Sequence, residues 1–259
     1  MVLLSFDIEE FDMPFEYDRE ISFEDQISIS REGTIAILDL LEKYKVKATF
    51  FCTVTFAENI PDLIKRITET GHELASHGYY HSDFKPEHLL QSKLKLEELS
   101  GKEILGYRMA RMMPVDEVEI QKAGYTYNTS INPTYLPGRY NNFNISRTFF
   151  TKEKVLQIPA SVSPIVRFPL FWLSFHNLPL SIYKFLVSWT YKKDNYLNVY
   201  FHPWEFTALN DFKRFGFPKY VSKNTGVDMI ERMDNLISWM KEKKYSFGTF
   251  QEFIETIKK

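Results

Sequence analysis

Short apolar runs, each closing on a small polar cluster, recur along the chain. Val2 to Phe6 leads into Asp7-Ile8-Glu9-Glu10, and His72 to Ser76 into His77-Gly78-Tyr79-Tyr80-His81. Ile104 to Tyr107 leads into Arg108, and Asn198 to Phe201 into His202-Pro203-Trp204-Glu205. Each run reads as a brief buried strand. Helical patterns alternate with them: about 30–44, with Ile35, Leu38 and Leu41 on one side; 59–70, opened by Pro61 and ended by Gly71; 86–100, stopped by Gly101; and 115–123, stopped by Gly124. Residues 47–53 and 125–131 read as further strands. The alternation predicts a parallel α/β sheet, and seven or eight strands would close it into a barrel. In such a barrel, polar residues at the carboxyl ends of different strands converge on one face.

The rhythm breaks over residues 132–195, where Pro133, Pro137, Pro159, Pro164, Pro169 and Pro179 fall among many Asn, Ser and aromatic residues. This stretch reads as an irregular insertion within a single domain spanning 1–259, with a short strand at Val155 to Ile158. A strand follows at 196–201, then a helix with Met229, Ile230, Met233, Leu236, Ile237 and Met240 at helical spacing, whose methionines read as core contacts. Residues 245–250 and 251–257 supply a last strand and helix.

Composition narrows the function classes. The net charge of -2 offers no field to attract nucleic acid. Aromatics make up 16% of the chain, a surplus that could line a carbohydrate cleft or simply fill the core. Cys52, the only cysteine, reads as a small buried hydrophobe. The amino terminus lacks a basic region, a long apolar stretch and a cleavage site, so a cytoplasmic location is expected. Phe168 to Tyr183 carries no Asp, Glu, Lys or Arg. It is too short to span a bilayer and reads as a buried crossover, or as an apolar lip touching a membrane surface or a lipid-linked substrate.

The polar clusters carry the chemistry. His77 and His81 stand four apart, so a helical turn after the strand would project both rings the same way. Two neutral imidazoles and a carboxylate suit zinc or another first-row divalent ion in a catalytic site. Asp7 and Glu9 share a face of an extended chain while Ile8 points into the wall. One of them can hold the ion while the other takes a proton from water. Glu10 and Asp12 read as a solvated acidic loop. Arg108 could keep Asp7 ionised and aimed, and His202, in an apolar setting, could give a proton to a departing amine. Trp204 reads equally as a sugar platform or a core ring.

Taken together, Phe6-Asp7-Ile8-Glu9, Ser76-His77-Gly78-Tyr79-Tyr80-His81, Gly106-Tyr107-Arg108, the run Gly124 to Ile131 and His202-Pro203-Trp204-Glu205-Phe206 resemble the polysaccharide deacetylase family, carbohydrate esterases with the nodulation-type chitooligosaccharide deacetylase domain. The resemblance implies a distorted, incomplete (β/α) barrel and metal-dependent removal of N-acetyl groups from an N-acetylated carbohydrate. It makes Asp7 the base, Glu9, His77 and His81 the metal ligands, Arg108 the support of Asp7 and His202 the acid. Tyr79, Arg111 and Trp204 would meet the substrate, Arg111 through its main-chain N–H at the oxyanion. The chain departs from the family pattern at Glu9, where aspartate is usual, at Ala110, where proline is frequent, and at Asn128, where aspartate is frequent. Those departures keep open a sugar-binding barrel without turnover. A formamide or a cyclic amide as substrate would use the same groups.

Overall fold

A computed structural model describes residues 1–258. In chain order the strands are β1 (Val2–Ile8), β2 (Thr49–Cys52), β3 (Glu73–Ser76), β4 (Gly106–Tyr107), β5 (Tyr127–Asn128), β6 (Tyr135–Leu136), β7 (Tyr140–Asn141), β8 (Phe150–Lys152), β9 (Val155–Gln157) and β10 (Leu197–Phe201). Eight of them form one sheet in the order β10-β1-β2-β3-β4-β5-β9-β8, while β6 and β7 make a separate hairpin. Every pairing from β10 to β9 is parallel, and β8 returns antiparallel on β9. The result is a half-barrel with helices packed outside: the parallel α/β sheet that the alternation predicts, left incomplete and distorted as the family resemblance implies. β1 is buried along its whole length, as a strand covered on both faces must be.

Register is what brings the polar clusters together. Ile8 pairs with Cys52, Cys52 with Ser76, Ser76 with Tyr107, and Tyr107 with Asn128. The ladder runs on past the strand ends: Thr53 N–H donates to Ile8 O (3.2 Å), His77 N–H to Cys52 O (2.8 Å), Arg108 N–H to Ser76 O (2.9 Å) and Thr129 N–H to Tyr107 O (3.0 Å). Glu9, His77 and Arg108 therefore leave neighbouring strands at one level. On the other side of β1, Phe6 pairs with Phe201, which sets Asp7 level with His202.

Several elements differ from the sequence expectation. The first long helix starts at Phe23 rather than near residue 30, because Ser22 caps it by accepting from Asp25 N–H (3.1 Å), and Glu24 and Asp25 favour the positive end of its dipole. The stretch 132–195 is less irregular than its prolines suggested. It contributes β8 and β9 to the main sheet, a short helix Trp172–Asn177 and a fifteen-residue helix Leu180–Asp194. Pro179 opens that helix instead of breaking one, and Tyr183, Val187 and Thr190 form its buried stripe. Residues 245–250 do not make a strand. Val2 bridges Phe247 alone, and Thr249 already caps the helix Phe250–Ile257 with Glu252 reaching back. Met229, Met233 and Met240 are buried in the core, as their spacing indicated, and Cys52 is buried and unpaired.

One close approach positions the last polar cluster. Gly33 faces the turn Pro203–Phe206, and a Cβ on it would fall 1.8 Å from Pro203 O. Gly33→Ala is therefore expected to destabilise the protein by about 1–3 kcal/mol through backbone displacement. A fall in the urea midpoint, together with loss of whatever activity depends on His202, is the observation that checks it.

Candidate active site

Glu9, His77 and His81 meet at the carboxyl ends of the central strands. Glu9 Oε2 lies 3.0 Å from His77 Nε2 and 3.2 Å from His81 Nε2. The chain after β3 does not turn helical as the four-residue spacing suggested. Gly78 takes φ +97°, a conformation that favours glycine, and the irregular segment beyond it brings the two rings 6.1 Å apart, nearly parallel.

The outer ring nitrogens show what the inner ones offer. His77 Nδ1 lies 2.8 Å from Arg108 O and His81 Nδ1 2.7 Å from Asp12 Oδ1. Carbonyl and carboxylate oxygens only accept, so both Nδ1 atoms carry hydrogen, and both Nε2 lone pairs face Glu9 when the rings are neutral. Glu9 Oε2 is buried without a hydrogen-bond partner. The Glu9, His77 and His81 ligand atoms lie within 4.8 Å of one another and form a group able to hold a metal ion. A divalent cation fits that convergence of acceptors, because it satisfies all of them at once. In its absence protons serve instead. Burial disfavours charge on Glu9, but His81 and His77 outweigh it and draw the carboxyl down to about 2. Burial likewise opposes charge on His81, yet Glu9 and Asp12 push it up to about 9.

Asp7 and His202 face each other across the same cleft, with His202 Nε2 3.9 Å from Asp7 Oδ2. Arg108 is completely buried and donates through Nη1 to Asp7 Oδ1 at 2.5 Å and through Nη2 to Ser5 Oγ at 2.9 Å. Its guanidinium stacks 4.0 Å over the Phe51 ring. A charge so placed must be paired, and Asp7 is the partner. Asn128, one of the family departures, works at one remove. It donates to Gln157 Oε1 (2.8 Å) and accepts from Ser130 Oγ, which itself accepts from Met109 N–H (2.8 Å) and so steadies the backbone beside Arg108.

The acidic loop is not solvated. Asp12 is 8% exposed and Glu10 7%. Asp12 holds His81 and accepts from Ser82 Oγ. Glu10 accepts from Thr53 Oγ1, the cap of the helix Val54–Asn59, and burial raises its carboxyl above the ordinary range. Each carboxylate gains partners that only the fold supplies. Arg111 has φ +56° and ψ +16°; its side chain reaches Glu16 (2.7 Å), Ser82 Oγ (3.1 Å) and His81 O (3.4 Å), closing over the His81–Asp12 pair.

The cleft is lined by Asp7, Glu9, His81, Arg111, Tyr140, Trp172, His202 and Trp204, among others. Tyr79 is not part of that lining; its ring packs on Tyr80 and His88, and its carbonyl accepts from Thr55 Oγ1. Trp204 is 3% exposed and stacks on the His202 ring (centroids 4.9 Å, 17° apart), so most of its face is covered. Trp172, partly exposed, meets His202 edge-on at 5.7 Å. It was not singled out from sequence, since one more aromatic in an apolar stretch carries no signal of its own.

Comparison with known proteins agrees with the family read from the motifs. The polysaccharide deacetylase family model matches residues 18–128. Peptidoglycan-N-acetylmuramic acid deacetylase PdaA of Bacillus subtilis is 42% identical over 50 residues, 19% of this chain and 19% of that protein. A probable polysaccharide deacetylase of Pseudomonas aeruginosa superposes with a TM-score of 0.69 at 15% identity, covering 98% of this chain and 88% of the other. The PuuE allantoinase gives 0.67 at 15% identity, covering 97% and 87%. The chain thus resembles polysaccharide deacetylases in the motifs of the matched segment, and shares their fold over nearly its whole length. The matched segments span no more than 28% of the length of these curated relatives.

Proposed function

We propose that this protein is a metal-dependent amide hydrolase that removes the N-acetyl group from an amino sugar of a glycan or glycolipid precursor. One observation carries the reading: Asp7 and His202 face each other at 3.9 Å beside the converged Glu9, His77 and His81. A divalent cation held by these three residues, with zinc the best match to two imidazoles and a carboxylate, would supply Lewis acidity toward water and the amide carbonyl. Asp7, held in place by the Arg108 hydrogen bond, takes a proton from the water whose oxygen adds to the carbonyl carbon. The carbon–nitrogen bond breaks as His202 gives its Nε2 proton to the departing nitrogen. The products are a carboxylate and a free amine. Burial works against charge on His202, but the Glu205 carboxylate raises its pKa above the ordinary 6.5, which suits an acid working near neutrality. The Arg111 main-chain N–H, in its left-handed turn at the cleft, is the candidate donor to the oxyanion.

The substrate's sugar would lie against Trp172 and Tyr140 at the mouth. An apolar groove lined by Leu136, Val166, Phe168 and Leu173 adjoins the Trp172 segment, which supports a lipid-linked form of that sugar. None of the helices among the described residues is long and apolar enough to cross a membrane. A cyclic amide is the second reading, supported by the fold shared with an allantoinase.

Protein purified without chelator, assayed for bound metal and for acetate release from N-acetylated sugars, tests the proposal. His202→Ala should lower kcat by about 10²–10⁴-fold with little change in KM. Sugar binding without metal or acetate release would point to a binding module, and ring opening of cyclic ureides to the second reading.

A further inference from the structure

We infer that Glu205 and His176 are positioning residues that hold the His202 ring with its Nε2–H aimed into the cleft, a role that rests on His202 being the acid of the proposed reaction. Glu205 is fully buried. Its Oε1 accepts both the His202 main-chain N–H (2.6 Å) and His202 Nδ1–H (2.9 Å). Its Oε2 accepts from His176 Nε2 at 2.7 Å. The turn Pro203–Phe206 makes this possible, since Glu205 stands three residues on and folds back over its own N-cap.

The arrangement sets the tautomer. An ionised carboxylate only accepts, so Nδ1 must carry hydrogen, and Nε2 is left to point at Asp7. Trp204 stacks on one face of the ring while Trp172 and Tyr200 meet it nearly perpendicular, which removes rotation as an alternative. During turnover only the Nε2 proton leaves. The Nδ1 proton stays on the ring and Glu205 stays a carboxylate, stabilising the imidazolium before transfer and holding the neutral ring after it.

His176 explains why Glu205 does not take that proton. A second donor on the other oxygen lowers the basicity of the carboxylate. His176 is itself completely buried, on the helix Trp172–Asn177, and its Nδ1 has no hydrogen-bond partner. A phenylalanine would fill the space without leaving that atom unsatisfied, so the imidazole is there for its Nε2–H. The sequence holds a lone histidine within the uncharged stretch 168–183 and an acid three residues after His202, but nothing in it joins the two. The other ionisable groups around these three residues are Asp7 and Glu9 across the cleft, Tyr200 beside the His202 ring, and Tyr183 behind Glu205 with Arg232 beyond it.

Three variants and one spectrum test the inference. Glu205→Gln keeps an acceptor for Nδ1–H but loses the charge. It should lower kcat by about 10²-fold, change KM by less than about threefold, and move the alkaline limb of kcat/KM to lower pH. His176→Gln, which keeps an N–H donor, should retain most activity, whereas His176→Phe, which leaves Glu205 Oε2 without a donor, should lose it when assayed at a temperature where the variant is folded. In metal-free wild-type protein, nitrogen NMR should find His202 carrying hydrogen on Nδ1, with a titration midpoint that falls in Glu205→Gln. A folded Glu205→Gln with wild-type kcat and the same His202 midpoint overturns the inference, as does a wild-type His202 bearing hydrogen on Nε2 alone when neutral. The NMR result stands even if no amide is hydrolysed, so failure of the proposed reaction and failure of the positioning role read out separately.

Discussion

Asp7→Asn is expected to cut turnover on an N-acetylated amino sugar by about 10²–10⁴-fold while the protein still binds its metal. Asparagine keeps the shape of the side chain, and its amide cannot take the proton from water. Asp7 also balances Arg108, a completely buried cation 2.5 Å away. Leaving that cation without its counter-charge should destabilise the fold by about 3–5 kcal/mol. The two effects are measured apart: initial rates at a temperature where the variant is folded, and denaturant midpoints for stability. Metal content that falls together with activity would move Asp7 into the ligand set and remove it as base.

The second large effect concerns the metal. Glu9→Gln should abolish stoichiometric binding, because it removes the anionic ligand on which both histidines converge. Asp12→Asn should weaken affinity by about 10–100-fold, the usual consequence of losing a carboxylate that orients a ligating imidazole. The pH dependence has a definite sign. In metal-free protein His81 holds its proton up to about pH 9, and the cation must displace that proton to bind. Apparent affinity should therefore climb with pH up to about 9 and level off above it. In Asp12→Asn the climb should end at lower pH, since one of the charges that raises His81 is gone. Competition titrations with a metal indicator across pH decide both points; an affinity independent of pH would exclude His81 as a ligand.

Much of the site could be read before any fold was known. Asp7, Glu9, His77, His81, Arg108 and His202 each follow a short apolar run, and a parallel sheet turns that repetition into convergence. Other parts were misread for identifiable reasons. Asp12 belongs to a run rich in acids, and composition alone makes such a run look hydrated; His81 and Ser82, 69 and 70 positions away in the chain, give its carboxylate partners out of bulk water. Pro179 is one of the prolines that make 132–195 look irregular, yet proline also begins helices, and here it precedes the helix Leu180–Asp194. The expected strand at 245–250 failed because Thr249 already caps the next helix, with Glu252 reaching back to it. Tyr79 lies within a motif that otherwise serves the cleft, yet its ring packs on the outside of it.

The order of residue types determined the strand-then-polar repeat, the parallel α/β sheet that follows from it and the identity of the groups able to do acid, base and ligand chemistry. These depend on local pattern and on the rule that strand ends share a face, both of which survive in one dimension. Tertiary structure alone decided that Asp12 holds His81, that Arg108 is sealed against Asp7, that Trp204 backs His202, and that Glu205 joins His202 to His176. The contacts of Asp12 with His81, Arg108 with Asp7 and Glu205 with His176 join distant segments, where exclusion of water gives the contact its strength. Trp204 and Glu205 meet His202 within one turn whose backbone the fold fixes.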